Sequence, residues 1–123
     1  EFLGYVPDDA LPDLMARAKA FIFPGLEDFG ITPVQSQAAG RPVIAYAGGG
    51  ALDTVIPGMG GEHFHTPTVD DLAQVMASFD ATRYQPQQMQ AHARKFDSRL
   101  FRDQLDGFIR AQYATFKAGR AAL

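Results

Sequence analysis

A chain of 123 residues with 46% hydrophobic side chains can bury a sizeable core as one domain, residues 1–123, and nothing in its composition suggests disorder. A formal net charge of −3 without a basic stripe lacks the electrostatic footprint of a nucleic-acid binder, so no nucleic acid is expected as a partner. Zero cysteines exclude disulfides and thiolate catalysis and fit a cytoplasmic setting, and no apolar run approaches the ~18 residues of a membrane span.

In chain order, Glu1-Phe2-Leu3-Gly4-Tyr5 begins without an initiator Met and almost directly on an apolar run, so the chain is expected to be a piece of a longer protein. Phe2 to Tyr5 reads as a short strand. Pro7-Asp8-Asp9 supplies a turn, and Leu11, Leu14, Met15 and Ala18 repeat at helical spacing, which predicts a helix from about Ala10 to Ala18. The fully apolar Phe21-Ile22-Phe23, stopped by Pro24-Gly25, reads as a strand buried on both faces, as in a parallel sheet. Next comes an acidic loop, Glu27-Asp28-Phe29-Gly30-Ile31, feeding a helix start. Thr32 is the expected N-cap and Pro33 the first helical residue, Gln35 completes a capping box with Thr32, and Gly40 before Arg41-Pro42 closes the helix.

Val43 to Tyr46 is a second buried-strand run, followed by the glycine loop Gly48-Gly49-Gly50, a short helix over Ala51 to Val55 and a turn over Gly58 to Gly61. Glu62-His63-Phe64-His65 alternates as a short strand. Thr68, with Asp71 three residues later, opens a helix through about Phe79, and further helices are expected over Pro86 to Phe96 and Arg99 to about Lys117. Phe101, Leu105, Phe108, Ile109, Tyr113 and Phe116 form one apolar stripe on the last of these. Core packing is its simplest use; without a covering domain the stripe would be exposed and would drive self-association. Strands alternating with helices predict an α/β fold, a parallel sheet with flanking helices. In such sheets ligands bind beyond the carboxyl ends of the strands, where Glu27 to Thr32 and Gly48 to Gly50 would both lie.

Phe23-Pro24, Glu27-Asp28-Phe29-Gly30-Ile31, Pro33-Val34 and Ala38-Ala39-Gly40-Arg41-Pro42-Val43-Ile44-Ala45 together resemble the donor-binding signature of the retaining GT-B glycosyltransferases of the group 1 family. The flanks agree: Phe2-Leu3-Gly4-Tyr5-Val6-Pro7, the glycine loop and Ala93-Arg94-Lys95-Phe96 resemble neighbouring elements of the same domain. The resemblance implies a Rossmann-like half of a GT-B enzyme, part of the C-terminal donor-binding domain. The N-terminal acceptor domain and the first strands of the donor domain would lie before Glu1. It implies transfer of a hexose from a nucleoside-diphosphate sugar to a glycan or lipid-linked acceptor, as in polysaccharide biosynthesis, with retention and no bound metal or other cofactor. The setting would be cytoplasmic, or peripheral at the inner face of a membrane.

Carried onto these residues, Glu27 is the catalytic candidate, contacting the donor sugar. Donor-binding candidates are Tyr5 and Val6 at the nucleobase, Asp28 with the backbone of Phe29, Gly30 and Ile31 at the sugar, and the helix start Thr32, Pro33, Val34 and Gln35 toward the phosphates and ribose. Two departures stand out. The step from Pro24 to Glu27 is one residue shorter than the family pattern, and Gln35 stands where a second Glu holds the ribose hydroxyls, so a weaker grip on the nucleotide is expected, by ~1 to 3 kcal/mol. The Glu-Asp-Phe-Gly-Ile form of the loop points to a GDP-linked hexose such as mannose, which would make the parent a mannosyltransferase. The other class of function open to the sequence is a noncatalytic nucleotide-sugar-binding or interaction module of the same fold.

Against these stand plainer uses. Glu27 can be a solvated loop acid, the three glycines a turn, and Asp53 a cap for the short helix. His63 and His65 would share one face of a strand without a third metal ligand, and His92 falls in a polar helix, where solvation is expected.

Overall fold

The computed structural model describes residues 1 to 121. Three parallel strands form one sheet in the order β1 (Phe21–Phe23), β2 (Val43–Tyr46), β3 (Gly61–Phe64), with Phe21 opposite Val43 and Val43 opposite Gly61. Helices connect and flank them: α1 (Leu11–Arg17), α2 (Ile31–Ala38), α3 (Ala51–Thr54), α4 (Val69–Ser78), α5 (Pro86–Ala93) and α6 (Ser98–Ala121), with 3-10 turns at Ala81–Arg83 and Arg94–Phe96. This is the α/β architecture expected from the alternating elements.

β2 is the central strand, and Val43, Ile44 and Ala45 are buried on both of its faces. Val43 and Ala45 form a core with Ala51 and Val55, onto which Phe21 and Phe23 pack. β1 departs from its expected burial. It is an edge strand whose Ile22 is exposed, because a strand is covered on both faces only where elements lie above and below it. Phe2 to Tyr5 is likewise not a strand: its apolar side chains are exposed, and no neighbour among the described residues pairs with its backbone. A β conformation needs a ladder partner, and local composition does not supply one.

α2 begins and ends on glycines. Gly30 takes a left-handed conformation (φ 75°) at the N-cap and starts the helix at Ile31. Thr32 therefore lies inside the first turn and forms no side-chain cap, and the capping box with Gln35 is not made. Pro33 costs nothing at the third helical position, since the first four N–H groups have no partner within the helix. At the other end the expectation holds: Gly40 (φ 75°) donates its N–H to Gln37 O and Arg41 donates to Ser36 O, each at 2.9 Å, the paired bonds of a left-handed C-cap. Arg41 also reaches back to Ala16 O at the end of α1, at 2.6 Å.

The remaining elements follow local signals. Thr68 caps α4 by accepting from Asp71 N–H, while the Asp71 carboxylate accepts from the backbone of Thr66 and His65, which holds it below the usual carboxylate range. Tyr84 is buried between elements, stacks on Phe79 and donates its hydroxyl to the Glu62 carboxylate. Burial and that carboxylate together push the phenol well above its ordinary value. No helix among the described residues is long and apolar enough to cross a membrane. α6 is the exception to the packing. Its substantial contact is with the Arg94–Phe96 turn at its beginning, and Leu105, Phe108, Ile109, Tyr113 and Phe116 are all exposed. The stripe is thus not core of this chain.

Candidate functional site

The loop from Pro24 to Gly30 leaves the carboxyl end of β1, and the loop from Ala47 to Gly50 leaves that of β2. Because the strands are parallel, both loops emerge on one sheet edge, the edge at which ligands bind in open α/β folds. Leu26, Glu27, Asp28 and Phe29 are exposed there, and neither acid is paired with a cation among the described residues. Gly30, at the end of this loop, is buried, and its left-handed turn sets α2 directly after it. Glu27 therefore stands a few residues before a helix whose first amides have no partner within the helix and whose dipole favours negative charge.

The glycine loop lies beneath this acidic loop and is bonded to it. Gly50 donates its N–H to the Glu27 carbonyl at 2.8 Å. A Cβ added at Gly49 would overlap Glu27 O, and one at Gly50 would overlap the Phe29 backbone. The glycines are thus needed for close approach of one backbone to another. The Thr54 hydroxyl donates to Gly50 O at 2.9 Å, and Thr54 O in turn accepts from Gln37 Nε2 at 2.8 Å. Thr54 O also lies 3.2 Å from His92 Nε2. A carbonyl can only accept, so Nε2 is the protonated ring nitrogen of His92. Gln37, fully buried, also donates to Pro33 O at 3.3 Å. Its Oε1 and His92 Nδ1 are buried without a partner among the described residues.

On the other side of α2, Gln35 is exposed and faces a cleft of about 540 Å³ between α1 and α2, lined chiefly by Asp8, Leu11, Met15, Ala38 and Ala39. Freed from any capping role, its amide is available to a ligand in that cleft. Tyr5 is exposed and Val6 half-buried in the segment leading to Asp8 and α1. Asp28, Phe29, Gly30, Ile31 and Thr32 share the loop and helix start with Glu27, whereas Pro33 and Val34 are buried and serve α2 through packing.

Sequence reasoning missed the support of this loop. His92 is not solvated: it is buried, and its ring meets Phe96 edge-on at 5.3 Å between centroids. Phe96 meets Phe29 of the acidic loop in the same manner at 5.7 Å. The available signal was position: Gln37 lies four residues after Pro33 and three after Val34, on the inward face of α2, where a polar side chain needs a partner. Asp53 forms no side-chain cap on α3. His63 is half-buried and His65 exposed. Among the described residues no group of three or more His, Cys, Asp or Glu is placed to hold a metal ion.

Residues 1–96 match the family described as glycosyl transferases group 1. The chain is 34% identical over 94 residues to a 2-deoxystreptamine glucosyltransferase of Streptomyces kanamyceticus, covering 67% of this chain and 24% of that protein. It is 50% identical over 50 residues to the alpha-1,3/1,6-mannosyltransferase ALG2 of Dictyostelium discoideum, covering 41% and 12%. Among solved structures, sucrose-phosphate synthase from Thermosynechococcus elongatus superposes with a TM-score of 0.82 at 25% identity, covering 94% of this chain and 30% of that one. The chain thus spans a quarter or less of the length of these curated relatives. With a match over most of its length and a GT-B neighbour for its fold, the chain belongs to the glycosyl transferases of group 1.

Proposed function

We propose that this chain binds the donor in glycosyl transfer. Glu27 and the backbone of Phe29 to Ile31 hold the hexose hydroxyls, the first amides of α2 face the diphosphate, and the nucleoside extends toward the α1–α2 cleft, where Gln35 meets the ribose. The observation that carries this reading is the Glu27 loop itself, an exposed carboxylate four residues before an open helix N-terminus at the carboxyl end of β1. Similarity to an alpha-1,3/1,6-mannosyltransferase and to an O-antigen chain mannosyltransferase of Escherichia coli supports glycosyl transfer, and the Glu-Asp-Phe-Gly-Ile form of the loop is the ground on which GDP-mannose is proposed as the donor.

In the reaction the bond from the anomeric carbon to the diphosphate oxygen breaks and a bond to an acceptor hydroxyl oxygen forms on the same face of the sugar. The hydroxyl proton passes to the departing phosphate oxygen. Glu27 orients the hexose, and the dipole of α2 stabilises the charge that develops on the diphosphate. No metal is assigned a role. The acceptor is a glycan or lipid-linked sugar, bound by a further domain of a longer protein that works in the cytoplasm or at the inner membrane face. This chain alone does not transfer sugar.

The test uses the longer protein with GDP-mannose and UDP-glucose as donors. Glu27→Gln is expected to lower transfer about 100-fold while nucleotide affinity changes by no more than a few-fold, as for a group acting on the sugar. Transfer unchanged by the substitution contradicts the assignment. The uncharged Gln35 at the cleft favours a second reading, a binding module without turnover. Donor binding in the longer protein without any product, even after Gln35→Glu, would select it.

A further inference from the structure

We infer that Phe96, seated by His92, is a positioning residue that fixes the Glu27 loop through its contact with Phe29. The contacts close a ring. Glu27 O accepts from Gly50 N–H, Gly50 O from the Thr54 hydroxyl, and Thr54 O from His92 Nε2. His92 packs edge-on against Phe96, and Phe96 edge-on against Phe29, two residues after Glu27. Among the contacts that hold the acidic loop, this ring supplies two, a backbone bond from Gly50 below and the aromatic edge of Phe96 from the side. Its own exposed residues, Leu26 to Phe29, bury too little surface to hold it.

The two points differ in what they fix. The bond from Gly50 sets the height of the Glu27 carbonyl above β2, and the Phe29–Phe96 contact sets the rotation of the loop about that bond. Edge-on ring pairs are directional, so they add orientation to area burial. His92 is suited to hold Phe96 because its own ring is locked by the bond to Thr54 O and by burial. Gln37 donates to the same carbonyl and ties this ring to α2, the helix whose N-terminus begins at the loop's end. A change in the Arg94–Phe96 turn is thereby transmitted to the residue proposed to hold the donor sugar. The consequence for transfer rests on that proposed role of Glu27; the geometry of the ring does not.

The experiment reads the loop without a donor, so it stands or falls separately from the proposed function. Amide hydrogen exchange is followed residue by residue by NMR in the protein and in Phe96→Leu and Phe96→Tyr variants. In Phe96→Leu the Gly50 amide, whose acceptor is Glu27 O, is expected to exchange about tenfold faster. The Val43 amide, bonded to Gly60 O within the sheet, is expected to change less than about twofold. Phe96→Tyr, which keeps the ring edge, restores the original Gly50 rate. Unchanged Gly50 exchange in Phe96→Leu overturns the inference, and so does an equal acceleration at Val43, which would mean that Phe96 stabilises the whole domain and positions nothing.

Discussion

α2 and α6 are both amphipathic, yet they meet opposite fates. Of the eight residues of α2, Pro33, Val34, Ser36 and Gln37 are buried, two of them polar. α6 has 24 residues and a continuous apolar stripe, and its large apolar side chains remain exposed. The difference lies in who supplies the partner. α2 is enclosed by β1, β2, α3 and α5 of the same chain, and its buried polar residues donate to named carbonyls, Gln37 Nε2 to Thr54 O and Ser36 to Arg41 O. α6 leaves the domain after Phe96 and touches little beyond its first turn. Helical periodicity reveals that a face favours burial; it does not say what covers that face.

The largest loss of stability is expected at the junction beneath the acidic loop. Gly50→Ala introduces a Cβ that overlaps the Phe29 backbone, so it is expected to cost about 3 kcal/mol in urea unfolding, at the upper end of overpacking. It should also lower donor affinity. Stability close to that of the original protein would show that the two loops are not pressed together. Next in size is Gln37→Leu, which removes a donor from Thr54 O and from Pro33 O, with an expected loss of about 2 kcal/mol. The opposite sign is expected on α6. Gly107 has open space around its Cα, so Gly107→Ala should gain up to about 1 kcal/mol of helix stability, read as increased ellipticity at 222 nm. A loss there would reveal a packed partner on that face.

The smallest effect on folding is expected from Phe108→Glu, within about 0.5 kcal/mol by urea unfolding, because the ring is exposed. Its effect on association is another matter. We propose that copies of this chain associate through the stripe of α6, so sedimentation velocity should show concentration-dependent association in the original protein and its loss in this variant. Association that survives the substitution would place the contact elsewhere.

These contrasts also explain what the sequence could reveal. The helices, the order of elements and the edge carrying both loops follow from local signals: the turn at Pro24-Gly25, the C-cap at Gly40, the cap of α4 by Thr68. What failed depends on neighbours distant in sequence. Phe2 to Tyr5 has the composition of a strand without a partner strand, and Ile22 lacks cover because β1 is an edge. Thr32 lost the N-cap to Gly30, since a left-handed glycine can begin a helix that no side chain caps. The exposed part of the candidate site, Glu27 to Ile31, was legible because it is contiguous. Its support, from Thr54, His92 and Phe96, was not, because those contacts span many residues of chain.

The most direct test of donor binding is an NMR titration of the protein with GDP-mannose, following backbone amides. Shifts are expected to concentrate at Glu27 to Thr32, at Gln35 and along the α1 side of the cleft, with Leu105 to Phe116 of α6 unmoved. Shifts confined to α6, or none at saturating nucleotide sugar, would contradict it.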